Sequence, residues 1–315
     1  MKTRLQPWRK TFQLGLFALF ILAPPLDLLR MDLQQGHAVL LGMSWTLGID
    51  DFLAGHGSTL DAAINLMLRG FLPLFGAGVL LLWVAWFYGR LYCGWACPHF
   101  SMVEWLNTLM TRASGRPTLW QRKPLRQPDG KRVTPNRWYW APVVLLALGM
   151  AFLWSVVFLT YLLPPGEIYN NLLTAQLTWR QGLFIGVSAL ILSIDFVFAR
   201  HLFCRYACSV GLFQSLVWMA NPRALVIKFD KTQAVRCSDC NLACENVCPM
   251  RLKPRANKRK IYSCTECGLC IDACKQVNGG AGLLSWAAGE QVVPLSAIGG
   301  LKCPPRPARP AKETS

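Results

Sequence analysis

Four segments of this chain, residues 11–29, 68–89, 138–163 and 181–199, are long and mostly apolar, close to the roughly 20 residues a helix needs to cross the hydrocarbon core of a bilayer. Lipid offers no partner to a backbone N–H or C=O, so segments of this kind must be helical if they span. Composition points the same way: charged residues are 16% of the chain and hydrophobic ones 53%, with 13 Trp and 16 Phe, whereas soluble domains carry about 25% charge. The expected base is therefore a four-helix transmembrane bundle. Pro24-Pro25 should kink or unwind the outer end of the first span, since proline lacks the N–H donor and clashes with the preceding turn. A basic start before an apolar core also describes a signal peptide. No A-x-A cleavage site follows the stretch from Phe12 to Ala23, and retention is expected.

The net charge of +17 is distributed unevenly. Lys2, Arg4, Arg9 and Lys10 precede the first span, eight basic residues lie between Arg112 and Arg137, and six lie between Arg251 and Lys260. The segment from Arg30 to Arg69 holds two basic residues against Asp32, Asp50, Asp51 and Asp61, and residues 164–178 hold no Lys or Arg. Basic flanks beside apolar spans follow the positive-inside rule, whereas a nucleic-acid binder shows a basic face on a soluble fold. The reading is a multi-pass protein of a bacterial inner (cytoplasmic) membrane, both termini cytoplasmic, with no nucleic-acid partner. The outer segment from Gly36 to Leu60 has a mixed pattern compatible with a short interfacial helix.

The sequence repeats itself at an offset of 111 residues. Arg90-Leu-Tyr-Cys93-Gly-Trp-Ala-Cys97 matches His201-Leu-Phe-Cys204-Arg-Tyr-Ala-Cys208, and each copy directly follows an apolar span. The bundle thus reads as two related hairpins, and repeats of this kind place functional sites at their interface.

After Asn221-Pro222 the chain turns polar and cysteine-rich. Three regions are expected: a transmembrane domain over 1–222, a small α+β domain of the bacterial two-cluster ferredoxin type over 223–290, and a disordered proline-rich tail over 291–315. Within the second, Cys264, Cys267, Cys270 and Cys274 keep the C-x2-C-x2-C-x3-C ferredoxin spacing. Cys237, Cys240, Cys244 and Cys248, followed by Pro249, differ by one extra residue before Cys244. Three thiolates on one short loop cap three irons of a cubane, and in two-cluster ferredoxins the fourth cysteine of each run ligates the other cluster. That rule assigns Cys237, Cys240, Cys244 and Cys274 to one [4Fe-4S] cluster and Cys264, Cys267, Cys270 and Cys248 to a second. Paired C-x2-C motifs also make zinc sites, but two triplets each followed by a fourth cysteine favour iron–sulfur. Thirteen cysteines at such short spacings suit metal ligation in a reducing compartment better than disulfides.

In each C-x3-C pair, Cys93 with Cys97 and Cys204 with Cys208, residues i and i+4 share a helix face. Soft thiolates select Cu(I), zinc or iron–sulfur, so the four sulfurs are candidate redox residues and a candidate extra metal site, copper or iron–sulfur. Packed free thiols are the plainer alternative. His99 and His201 flank the pairs as weaker ligand candidates. Asp195 is a carboxylate within the fourth span, a functional hypothesis by default, although it lies within reach of water or Arg200. Trp95 and Tyr206 are read as core filling, and Cys303 as idle.

Gly89-Arg-Leu-Tyr-Cys93-Gly-Trp-Ala-Cys97-Pro98, the second C-x3-C after another span, and the two cysteine runs together resemble the membrane polyferredoxin family, over about residues 10–280. That family includes NapH, the membrane part of NosR and the CcoG (FixG, RdxA) branch. The resemblance implies electron transfer at the cytoplasmic membrane between the clusters and a membrane or periplasmic acceptor. Its implied partners are redox proteins, the quinone pool or a respiratory enzyme. The CcoG branch further implies copper reduction during oxidase maturation. His99 stands where that branch has Gln and Ser209 where it has Pro, which leaves the branch open. A zinc-binding or redox-sensing scaffold without electron flux is the competing class.

Overall fold

The computed structural model describes residues 5–121, 124–125, 132–237, 240–280 and 282–289. The expected tail with Cys303, Lys2 and Arg4, and part of the basic loop after Arg116 lie outside the described residues.

The chain is mainly helical. Helix α1 (Leu5–Leu22) stops just short of Pro24-Pro25, as proline chemistry requires. A three-stranded antiparallel meander follows, β1 (Leu29–Asp32), β2 (His37–Leu40) and β3 (Met43–Trp45). Glycines 36 and 42 take left-handed φ values of 72° and 76° at its two turns. Within Gly36–Leu60, where the mixed pattern allows a short helix, the chain forms most of this meander and then a single helical turn, Asp50–Leu53, before Thr59. Alternation is too short there to separate strand from helix by pattern.

Among the described residues three helices are long and apolar enough to cross a membrane, α2 (Thr59–Tyr88), α5 (Arg137–Thr160) and α7 (Trp179–Ala199). Helix α1 is not among them; it carries Arg9 and Gln13 on its buried face. Ser58 caps α2 by accepting from the Leu60 N–H, and a capping box formed by Thr178 and Gln181 starts α7. Between these spans lie α3 (Leu91–Trp95), α4 (Pro98–Ser114) and α6 (Pro165–Leu173). Pro98 and Pro165 open their helices, where a missing N–H costs nothing, and Gly115 at φ 72° closes α4. After α7 a π-type turn (Phe203–Ala207) leads into α8 (Ser209–Ala220).

The two halves exchange helices: α4, after the first cysteine pair, packs on α5, while α8, after the second, packs on α2. Phe17, Met102, Leu106, Ala147, Ala151, Trp154 and Phe196 form the buried centre of the bundle.

Strands β4 (Leu225–Phe229) and β5 (Leu284–Ala288) pair antiparallel, from Leu225 opposite Ala288 to Phe229 opposite Leu284. They close a small layer over the single turn Ala243–Asn246 and helix α9 (Leu269–Val277). This cysteine-rich layer sits on the end of the bundle where both C-x3-C motifs emerge.

Candidate functional site

The first C-x3-C motif is a tight turn pressed against the cysteine-rich layer. A Cβ on Gly94 would meet the Thr265 carbonyl oxygen at 2.0 Å, so only glycine fits between Cys93 and Trp95. Its carbonyl accepts from Arg9 Nη1 and Gln13 Nε2, both at 3.0 Å. Arg9, 1% exposed, also pairs with Glu104 at 2.9 Å. Trp95 Nε1 donates to the Glu266 carbonyl at 3.2 Å and Gln6 Nε2 to the Cys267 carbonyl at 2.9 Å. Core filling, the role expected for Trp95, therefore understates it: the indole ties the turn to the loop that carries Cys264 and Cys267.

Arg90 joins the second motif to the first. Buried at 1% exposure, it donates through Nη1 to the Cys204 carbonyl at 2.7 Å and through Nε to Ser215 Oγ, whose hydroxyl donates to the Tyr262 carbonyl. Lys258 Nζ reaches the Trp218 and Asn221 carbonyls at 2.8 and 2.6 Å, over the Trp218 ring. None of these clamps was legible from spacing. Their signal is only a basic residue in or beside an apolar context, which the sequence also shows at places of no consequence.

The two pairs come together as the repeat suggests. Burial pushes the Cys93 thiol up to about 12, reinforced by Cys97 and Cys208 and opposed by Arg90. Cys204 is pushed higher still, first by burial and then by Cys97, Cys93, Asp195 and Cys208. Four thiols thus lie within electrostatic reach of one another. Cys93 Sγ donates to Gln214 Oε1 at 3.4 Å. Among the described residues no three His, Cys, Asp or Glu side chains close on one point as a single metal ion requires. The extra metal expected for this quartet finds no support in that geometry.

His99 and Asp195, read separately in the sequence, form one unit. His99 Nε2 bonds the Asp195 carboxylate, and its Nδ1 lies 3.4 Å from Cys204 Sγ. Trp154, Phe196 and Phe203 enclose the ring with centroids 5.9, 5.5 and 5.2 Å away. Asp195 begins a π-type segment, Asp195–Ala199, which turns its carboxylate from the span toward His99. His201 goes elsewhere, buried under the opposite edge of the cysteine-rich layer. Tyr206 is 59% exposed and does not fill a core as expected; its ring lies under the Arg205 guanidinium, 5.1 Å from it.

The eight cysteines of the layer separate into two sets. Cys248, Cys264, Cys267 and Cys270 line one cavity. Cys237, Cys240, Cys244 and Cys274 line another. Each cavity therefore takes three thiols from one run and the last from the other, the exchange that two-cluster ferredoxins show. Backbone N–H groups donate to the exchanged sulfurs, Leu252 to Cys248 Sγ at 3.4 Å and Leu283 to Cys274 Sγ at 3.2 Å. Burial raises Cys244 and Cys267 to about 12, Cys248 upward and Cys264 well upward, so as free thiols they stay protonated at neutral pH and need a cation to become thiolates. One apolar cluster, built on Phe100, Trp218, Met250, Leu252 and Ile261, is touched by Cys97 and Cys204 from below and by Cys248 and Cys264 from above.

Comparison with known proteins was made on this geometry. The family described as 4Fe-4S binding domain matches residues 70–117 and 180–228, that is, both copies of the repeat with their C-x3-C pairs. Protein RdxA of Cereibacter sphaeroides is 30% identical over 225 residues, 66% of this chain and 44% of its own length. Ferredoxin-type protein NapH of Haemophilus influenzae is 24% identical over 282 residues, 85% of this chain and 86% of its own. Nitrogen fixation protein FixG of Rhizobium meliloti is 28% identical over 241 residues, 67% of this chain and 41% of its own. The chain thus spans less than half the length of RdxA and of FixG. No solved structure matches it significantly. With three apolar helices among the described residues, a doubled 4Fe-4S family segment and these relatives, the chain is similar to membrane polyferredoxin-type, iron–sulfur proteins.

Proposed function

We propose that this protein carries electrons between two [4Fe-4S] clusters and a four-thiol site at the membrane boundary, and from there to a membrane or periplasmic acceptor. Residues 223–290 form the ferredoxin-like domain in this reading. Cys237, Cys240, Cys244 and Cys274 hold one cluster, and Cys264, Cys267, Cys270 and Cys248 hold the other. Each cluster supplies a one-electron carrier. The chain's own residues do the rest: N–H donors at Leu252 and Leu283 favour the charged sulfurs, and the apolar wall excludes water from them.

The observation that carries the reading is the shared cluster of Phe100, Trp218 and Met250, against which Cys97, Cys204, Cys248 and Cys264 all pack. It gives a continuous, dry, aromatic contact from the layer to the C-x3-C thiols. The distribution of sulfurs also favours cubanes over zinc. Two triplets each followed by a fourth cysteine are the pattern of iron–sulfur ligation, while zinc needs a single set of four sulfurs about one point.

The positive-inside pattern supports both termini and the ferredoxin-like domain in the cytoplasm of a bacterial inner membrane, with α1 as the fourth, more polar span. A membrane or respiratory redox protein or the quinone pool is the acceptor class. Four soft thiols favour one specific second reading, the copper reduction in oxidase maturation that the resemblance to the CcoG branch implies.

The test is anaerobic purification of the whole chain with iron and acid-labile sulfide counted per protein. Two cubanes' worth of both, a broad absorption near 400 nm and an EPR signal on reduction are expected. A colourless sample holding zinc overturns the proposal. Loss of Cu(II) reduction on Cys93→Ser, with clusters intact, selects the copper reading.

A further inference from the structure

A third cavity, of about 430 Å³, opens between the bundle and the cysteine-rich layer. Thr118, Trp120 and His201 wall it from the bundle, and Glu245, Arg251 and Lys253 from the cysteine-rich layer. It belongs to neither cluster cavity. Its volume lies toward the lower end of the range for small-ligand sites, about 300–1,000 Å³.

Its chemistry is specific. The Glu245 carboxylate bonds Arg255 at 2.7 Å and also attracts Arg251, so the wall sets two cations, Arg251 and Lys253, against one carboxylate that is already paired. Arg251 is held in place, with Nη1 on the Asn246 carbonyl at 2.9 Å and a left-handed φ of 54° that a non-glycine residue adopts only at a cost. Trp120 is fixed through Nε1 on the Phe198 carbonyl at 2.8 Å, yet the residue stays 65% exposed and offers a ring face. His201 is only 6% exposed, and its Nδ1 has no hydrogen-bond partner among the described residues. Burial, then Arg251, Arg200 and Arg205, hold that imidazole down to about 4, so at neutral pH it is an uncharged ring with an unused nitrogen. A buried polar atom without a partner is costly unless a ligand supplies one.

We propose that this cavity binds a planar aromatic phosphate of mononucleotide size, with its ring against Trp120 and His201 and its phosphate on Arg251 and Lys253. Two cations suit a doubly charged phosphate, and the exposed Trp120 indole suits a flat ring. The site goes beyond the electron-carrier reading and does not depend on it.

Equilibrium dialysis of the full chain in detergent tests the site, with flavin mononucleotide as the probe and riboflavin and inorganic phosphate as its separated halves. Flavin mononucleotide should bind saturably and about tenfold or more tighter than either half. Lys253→Gln, an exposed change that leaves the fold intact, should weaken it several-fold, and Arg251→Gln or Trp120→Leu about tenfold or more. Arg259→Gln and Lys260→Gln, outside the cavity, should leave binding unchanged. Absence of saturable binding, equal binding of riboflavin, or an unaltered Lys253→Gln variant overturns the proposal. Iron counted on the same samples keeps that outcome distinct from failure of the cluster reading.

Discussion

Replacing Gly94 by alanine tests whether the seam between the bundle and the cysteine-rich layer holds the site together. The added Cβ would stand 2.0 Å from the Thr265 carbonyl oxygen, so the two backbones must separate by 1 Å merely to reach the 3.0 Å below which real Cβ atoms are essentially not found. Overpacking of this kind costs about 1–3 kcal/mol. The same shift stretches the Arg9 and Gln13 bonds to the Gly94 carbonyl and the Trp95 bond to the Glu266 carbonyl, each worth about 1 kcal/mol. A total of about 4–6 kcal/mol should lower the unfolding midpoint by roughly 10 °C for a chain of this size. Intrinsic fluorescence in detergent reads it, with visible absorption of the same sample reporting the layer separately. Gly149→Ala is the matched control: it lies in helix α5 with nothing within 4 Å of its added Cβ, and it should be neutral or slightly stabilising. Equal midpoints for the two variants would refute the argument that this contact is tight in the folded protein.

Three further outcomes follow from the same contacts. The Cys93→Ser, Cys204→Ser double variant should retain its iron and lose electron delivery, and unchanged delivery would remove the C-x3-C site from the path. Lys258→Met leaves the Trp218 and Asn221 carbonyls without their buried donor and should cost about 2–4 kcal/mol, read as a lower denaturant midpoint that Lys258→Arg partly restores. The His201 imidazole is held at about 4 in the fold against 6.5 in an unfolded chain, so below pH 6.5 the unfolded state binds the extra proton and stability falls. The loss accumulates between pH 6.5 and 4 and reaches about 3 kcal/mol. His201→Gln should flatten that part of the stability profile, and an unaltered acid limb would show that His201 does not set it.

Much of this architecture is legible because it rests on periodic or repeated signals. Apolar runs report three lipid-length helices, the offset of 111 residues reports the doubled family segment, and the two cysteine runs report the sulfurs that line the two cavities. What stays hidden has a common cause. The first segment is apolar enough to be read as a span, but Arg9 and Gln13 face inward to hold the Gly94 carbonyl, and no count of hydropathy distinguishes a buried clamp from a basic flank. The strands at Leu29–Trp45 are too short for their alternation to outweigh a helical reading. Asp195 looks like an isolated intramembrane charge until a π-type segment turns it onto His99, a residue 96 positions away.

The exchange of helices between the halves explains why the cysteine pairs must be considered as one site. Each pair is followed within one or two residues by a helix, and that helix packs on the opposite half, α4 on α5 and α8 on α2. A sulfur at the start of such a helix is therefore positioned by both halves at once. Arg90 adds to this by reaching from just before the first pair to the Cys204 carbonyl in the second. His99 does the same in the other direction, from just after the first pair to Cys204 Sγ and Asp195. Two independent thiol pairs would need neither link. Because both cross the pseudo-symmetric interface and end on the same cysteine, damage to either half should disturb all four thiols together, whereas the two cavities above, walled by their own crossed set of sulfurs, should survive it.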